Sequence, residues 1–142
     1  MLKLYLDASI IVPFFVGETR TAAVDALLRS CEPPPVVSSL AAGEFASAIS
    51  RLKRTGAISE IAAVTHMGAF DHWLTNDVEV RETEAADIAL AVTYVRRFEL
   101  GFWMPDAIHA ATCQRDSLVL CSADARLISA AHFLGIDAVA ID

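Results

Sequence analysis

Two short apolar runs, Leu2–Leu6 and Leu118–Cys121, are each followed within a few residues by an acid: Asp7 after the first, Asp124 after the second. Runs of this length, closed by polar or turn-forming residues, read as strands buried on both faces. Strands are expected at Lys3–Leu6, Val36-Val37, Asp77–Val80, Leu118–Cys121 and Ala138–Ile141. Helical spacing fills the intervals. Ser9–Val16 reads as a short helix broken near Pro13, and Thr21–Arg29 as a second, stopped by Pro33-Pro34-Pro35. A third starts at Ser38 or Ser39 and carries the stripe Ala41, Phe45, Ala48, Ile49 and Leu52, ending at Gly56. A fourth covers Ser59 to Trp73. Thr83 is expected to cap a fifth, with Ala85, Ile88, Val92 and Val95 facing inward and Gly101 ending it. Pro105 opens a sixth, where its missing N–H costs nothing, and Asp124–His132 is the last. Strand and helix alternate in this way in α/β folds with a mainly parallel sheet. No repeat, low-complexity tract or linker interrupts residues 1–142, which are expected to form one domain.

In such sheets functional groups gather beyond the carboxyl ends of the strands. That rule draws together four acids: Asp7, Glu44, Asp106 and Asp124. Crowded carboxylates repel unless a cation neutralises them, and an all-oxygen set with no Cys or His favours Mg²⁺ or Mn²⁺. A site of that kind suits attack on a phosphodiester.

Each acid also has a plainer reading. Asp7, in Leu6-Asp7-Ala8-Ser9, and Asp124, in Ser122-Ala123-Asp124, sit where a loop or capping Asp is common. Asp106 lies in a first helical turn, where the dipole stabilises a carboxylate. Glu44 borders an apolar stripe, where a charge wants a partner, and Arg51 two turns on is a candidate. His109, one turn past Asp106, either orients that acid, touches substrate or packs as a structural residue. Ser122 offers a hydroxyl in support of the site. Chemistry through an aspartyl-phosphate would want a second Asp two residues after Asp7, and position 9 is Ser.

With 55% hydrophobic and 20% charged residues, the chain has ample apolar material for a sheet buried on both faces and for a surface that pairs with another chain. Its net charge of −7 weighs against nucleic acid, yet the four acids carry a large share of that charge. Candidates for phosphate contact are Arg20, Arg51, Lys53, Arg54, Arg96, Arg97, Arg115 and Arg126; Arg51, Lys53 and Arg54 close the helix that bears Glu44. The same three suit the negative end of a helix dipole equally well. No aromatic stacking motif is visible. Cys31, Cys113 and Cys121 have no metal-binding spacing and read as reduced core thiols. No run approaches a membrane span and no secretory pattern opens the chain, so a cytoplasmic location is expected.

Four segments in order resemble the PIN-domain ribonucleases, specifically the VapC-type toxins of bacterial and archaeal toxin–antitoxin pairs. They are Leu6-Asp7-Ala8-Ser9, Ala42-Gly43-Glu44-Phe45-Ala46-Ser47-Ala48, Pro105-Asp106-Ala107-Ile108-His109-Ala110-Ala111 and Ser122-Ala123-Asp124. Ser122 stands where that family more often has Thr and keeps the hydroxyl. The resemblance implies a PIN-like three-layer α/β/α sandwich and metal-assisted hydrolysis of RNA. Asp7 and Asp106 would be direct ligands of Mg²⁺, with Mn²⁺ able to substitute. Glu44 and Asp124 would ligate, hold water or act as base, and Ser9 and Ser122 would be polar accessories. It further implies a homodimer held inactive by a cognate antitoxin. An apolar peptide could dock at Ile10, Ile11, Phe14 and Phe15 if these are exposed, whereas simple burial of the first helix is the competing expectation. An inactive PIN domain acting as a binding module, and a PIN nuclease of RNA processing without a toxin role, are the alternatives.

Overall fold

The computed structural model describes residues 2–17 and 21–141. Five strands, β1 (Leu4–Leu6), β2 (Val36–Ser38), β3 (Glu79–Arg81), β4 (Val119–Ser122) and β5 (Ala138–Ala140), pair in the order β3-β2-β1-β4-β5. Every pairing is parallel, so the sheet is wholly rather than mainly parallel. The helices are α1 (Ala8–Val16), α2 (Thr21–Arg29), α3 (Ser39–Arg54), α4 (Glu60–Asn76), α5 (Ala85–Val95), α6 (Met104–Asp116) and α7 (Ala125–Phe133).

Alternation along the strands sends neighbouring side chains to opposite faces and builds two cores. Tyr5, Val36 and Leu120 join Ala91, Tyr94, Ala110, Leu127 and Ile128, beneath α5, α6 and α7. Leu6, Val37 and Cys121 join Ile10, Val24, Phe45, Phe70 and Trp73, beneath α1 to α4. The result is the three-layer α/β/α sandwich. Ile10 and Ile11 are fully buried. Phe15 packs edge-on against Phe45, Phe70 and Trp73, and Phe14 lies against Phe15 and Trp73. Ile10 and Ile11 are therefore core, as burial of the first helix predicts, whereas Phe14 and Phe15 are only partly buried against it.

Several local expectations change. Pro13 lies inside one continuous helix, because burial of Ile10, Ile11 and Pro13 itself holds α1 together and Gly17 closes it with its N–H on Pro13 O. Glu84, not Thr83, caps α5. Its N–H donates to Asp87 at 2.9 Å, while Thr83 exchanges hydrogen bonds with Ser39 at the start of α3. The inward face of α5 is Asp87, Ala91 and Tyr94, leaving Ile88 and Val92 exposed. Asp87 goes inside because Arg115 of α6 grips it with two bonds, at 2.8 and 3.0 Å. Gly101 closes a short 3₁₀ turn, Phe98–Leu100, which follows α5. All three cysteines are free; Cys113 and Cys121 are buried, and burial pushes the Cys121 thiol up to about 12.

Candidate active site

The two central strands end side by side, with Leu6 in register with Cys121. One step further, Asp7 N–H donates to Cys121 O at 3.3 Å, and the chain turns into α1 on one strand and towards α7 on the other. Asp7 caps α1 from an extended backbone (φ −86°, ψ 174°). Its Oδ1 accepts the Ser9 N–H at 3.1 Å and the Ser9 hydroxyl at 2.5 Å, and its Oδ2 accepts the Ser122 hydroxyl at 2.6 Å. The same two hydroxyls accept in turn: Ser9 Oγ from Ala123 N–H at 2.9 Å, Ser122 Oγ from Asp124 N–H at 3.0 Å. Ser9 and Ser122 thus stitch the loop carrying Asp124 to the carboxylate that ends β1. Burial pushes the Asp7 carboxyl above the usual carboxylate range, against the pull of the Ser122 and Ser9 bonds.

Asp106 approaches from α6, whose first turn opens at the same sheet edge with Pro105 beside it. It is half-buried, and its carboxylate makes no hydrogen bond among the described residues. Burial raises its carboxyl, and Asp124, Asp7 and Glu44 raise it further, while His109 opposes them. Asp106 lines one small hollow with Asp124. Asp124 is exposed and caps α7, its Oδ1 accepting from Arg126 N–H at 2.9 Å and Leu127 N–H at 3.4 Å, which leaves Oδ2 uncommitted. The capping readings of Asp7 and Asp124 hold together with their place at the site.

Glu44 comes from α3, which Ser38 caps at the end of β2 by accepting the Ala41 N–H. Its partner is not Arg51. Glu44 Oε1 lies 2.5 Å from His109 Nε2, and His109 Nδ1 lies 2.5 Å from the Tyr5 hydroxyl, itself 2.7 Å from Ser38 Oγ. A Glu44 carboxylate only accepts, so the proton between it and the ring sits on Nε2, and the hydroxyls of Tyr5 and Ser38 complete the row on the other side. Burial pushes the Tyr5 hydroxyl well above its ordinary value, so it keeps its proton. His109 is only 1% exposed, and its ring is bonded to Glu44 rather than to Asp106. Sequence reasoning missed Tyr5 and Ser38. Two hydroxyls on inward strand positions were the available signal, since buried polar groups need partners.

The basic candidates divide. Arg51 and Arg54 share with Glu44 a cleft of about 420 Å³. Lys53 lines the groove between α3 and α4, away from the acids. Arg115 is committed to Asp87 and Glu84, and Arg97 to Glu99. Arg126 stands beside Asp124 with its Nη2 on Gly101 O. Arg20 lies outside the described residues.

The donors fit a hard cation: carboxylate oxygens that repel one another, among them an unengaged Asp106 and the free Oδ2 of Asp124. Among the described residues no three His, Cys, Asp or Glu side chains close into a ligand shell.

An α/β/α sandwich with acids from four elements at the carboxyl edge of a parallel sheet defines a class of proteins whose site lies at the strand ends. The chain belongs to the PIN-domain family, whose family model matches residues 4–133. Among solved structures it is similar to VapC20 of Mycobacterium tuberculosis, a sarcin-ricin loop cleaving toxin, at 21% identity and a TM-score of 0.73, covering 90% of this chain and 95% of that one. It is also similar to DNA-bound VapBC of Salmonella typhimurium (14%, TM-score 0.71, all of both chains) and to FitAcB of Neisseria gonorrhoeae (15%, 0.70, 95% of each). No curated protein matches the sequence significantly. Among the described residues no helix is long and apolar enough to cross a membrane.

Proposed function

We propose that this chain is a Mg²⁺-dependent endoribonuclease, acting as the toxin of a toxin–antitoxin pair in the cytoplasm, with residues 1–142 as one domain. What supports this reading is a PIN fold in which Asp7 and Asp124 follow two paired parallel strands, Asp106 lines one hollow with Asp124, and Glu44 is joined to α6 through His109. Asp7 and Asp106 would hold Mg²⁺ or Mn²⁺, with Glu44 and Asp124 acting through water. A divalent ion bound there supplies a water activated for in-line attack and offsets charge on the leaving oxygen.

The chain's own groups do the rest. Ser9 and Ser122 hold both oxygens of Asp7 so that its carboxylate keeps one orientation. The row Ser38–Tyr5–His109 aims Glu44 from α3 into the site without reaching solvent itself. Glu44, on the open side of that row, is placed to take a proton from attacking water. Arg51 and Arg54 border the same cleft and are positioned for RNA phosphates.

Antitoxin complexes with DNA among the similar structures support the pairing of this chain with a cognate antitoxin. An acidic site of this kind attracts an Arg or Lys from an inhibitory segment. A homodimer fits the apolar side chains left exposed, Ile88 and Val92 among them.

The test is cleavage of total RNA with Mg²⁺, with ends mapped, beside EDTA and Asp106→Asn controls. Metal-dependent cuts lost in the variant support the reading, and cleavage that survives both controls overturns it. Co-expression with the product of an adjacent small gene should give a stable complex in which cleavage is suppressed.

A further inference from the structure

The chain's two tryptophans live differently. Trp73 is buried among Phe14, Phe15 and Phe70, whereas Trp103 is 73% exposed and touches no other aromatic ring among the described residues. Leaving so large an apolar side chain in water forfeits burial energy, and its open ring offers a flat face on which a planar group can stack. Trp103 is also rigidly mounted. It is the N-cap of α6 (φ −89°, ψ 156°), and its carbonyl accepts the Ala107 N–H at 2.9 Å. Asp106 follows three residues later.

Trp103 lines a small hollow of about 50 Å³ with Asp106, Asp124 and Arg126. A second hollow, about 540 Å³, shares Leu100, Gly101 and Arg126 with it and reaches Phe133. The two hollows adjoin at Leu100, Gly101 and Arg126, and the line through them runs from Asp106 and Asp124 along α7 to Phe133. Arg126 crosses it with Nη2 on Gly101 O at 3.2 Å and has no carboxylate partner among the described residues. Gly101 leaves room for that guanidinium, since its φ of +67° disfavours a side chain and a Cβ there would stand 3.2 Å from Arg126 Nη2. At the far end, where Glu99 also lines the hollow, Arg97 pairs with Glu99 and lies over the exposed Phe133 ring, 5.2 Å from its centroid, which leaves Arg126 as the cation without a carboxylate partner among the described residues. Flat apolar faces alternating with cations are what a single nucleic-acid strand needs: stacking for its bases and charge for its backbone.

We propose that Trp103 is the stacking platform for a nucleobase flanking the cleaved bond, and that the two hollows adjoining at Arg126 carry the strand away from Asp106 and Asp124. This rests on the reading of the site as an RNA-cleaving one. The occupant is one strand of RNA. A second copy of the chain covering Trp103 is the competing outcome.

The test measures binding of a labelled, mixed-sequence 2′-O-methyl RNA decamer by anisotropy, with Ca²⁺ in place of Mg²⁺. Wild type, Trp103→Phe, Trp103→Ala and Arg126→Ala are compared, and sedimentation gives the oligomeric state of each. Trp103→Ala should weaken binding by about fivefold to about a hundredfold, and Trp103→Phe should restore most of it, since stacking is worth about 1–3 kcal/mol per base. Arg126→Ala should reduce the slope of log affinity against log salt by about 0.7, the loss of one single-strand phosphate contact. Unchanged binding in Trp103→Ala, or Trp103→Phe as weak as Trp103→Ala, overturns the proposal. So does a loss of affinity that tracks dissociation of a dimer. Should wild type cleave RNA and Trp103→Ala bind and cleave alike, only the platform falls. Should wild type neither bind nor cleave RNA, the nuclease reading falls with it.

Discussion

Glu44 Oε1 and His109 Nε2 meet at 2.5 Å between α3 and α6, with Tyr5 on the far side of the imidazole. Glu44 is thereby held from behind by groups that solvent does not reach. Tyr5→Phe removes one hydroxyl from this row and should cost about 1 kcal/mol of stability. His109→Ala also empties buried volume and should cost about 3 kcal/mol. If the row serves to aim Glu44, Tyr5→Phe lowers kcat for RNA cleavage while KM holds. Urea melts and steady-state kinetics on one RNA substrate check both parts, and an unchanged kcat in Tyr5→Phe refutes the aiming role.

Asp106→Asn should lose roughly a hundredfold or more of cleavage, because several kcal/mol of charge stabilisation depend on an ionised ligand. The metal-free protein should respond in the opposite sense. Burial and three neighbouring acids raise the Asp106 carboxyl in the folded state. A raised group favours folding fully below its unfolded pKa, and that contribution is lost as pH rises through the folded pKa. At neutral pH the ionised Asp106 therefore opposes folding, and Asp106→Asn should melt higher than wild type. The gain should vanish once pH falls below the ordinary carboxylate range. Thermal melts in EDTA across that range measure it, and a gain independent of pH contradicts the assignment.

Asp7→Asn should likewise abolish cleavage, with a smaller gain in metal-free stability. Its carboxylate accepts hydroxyls from both Ser9 and Ser122, and a neutral amide weakens these charge-assisted bonds. Circular dichroism and the same cleavage assay decide it. Full activity in this variant would remove the site from consideration.

Cleavage should require Mg²⁺ or Mn²⁺ and stop with EDTA, and Ca²⁺, with its looser shell, should not replace them. Independently of activity, Mg²⁺ at a hundredfold its dissociation constant should stabilise the fold by about 2.7 kcal/mol. That shift should shrink in Asp106→Asn. Titration followed by thermal melting reads it directly.

Arg115→Ala provides the contrast. It strands Asp87, only 1% exposed, without its two-pronged partner, and should cost about 3 kcal/mol. Cleavage per folded molecule should stay at the wild-type level at temperatures where the variant remains folded.

The strand ends were legible because a sheet covered on both faces leaves short apolar runs, and the residues just beyond the two central runs, Asp7 and Asp124, fall at a shared edge. Glu44 was legible as an acid beside an apolar stripe, yet its partner was not. Spacing along one helix pointed His109 to Asp106, and the approach of α3 across the sheet edge gave it Glu44 instead. The face of α5 differs from its periodicity for a related reason. No pattern rule turns Asp87 inward, since only Arg115, 28 residues on, makes its burial tolerable. A proline such as Pro13 ordinarily breaks a helix, and tertiary packing keeps α1 whole. Trp103 carried no sign in the sequence of lying open beside Asp106, because exposure is a property of the assembled fold.

Central in the sheet, β1 lies against β4, so the Ser122 to Asp7 bond closes a separation of 115 residues. Contacts between such distant segments form late, once the entropy of closing a long loop has been overcome. The carboxylates from the two ends of this chain come together only when that pairing is made. The candidate site is thus a property of the whole fold, absent from any fragment that lacks either β1 or β4, however well its α3–α4 hairpin is formed.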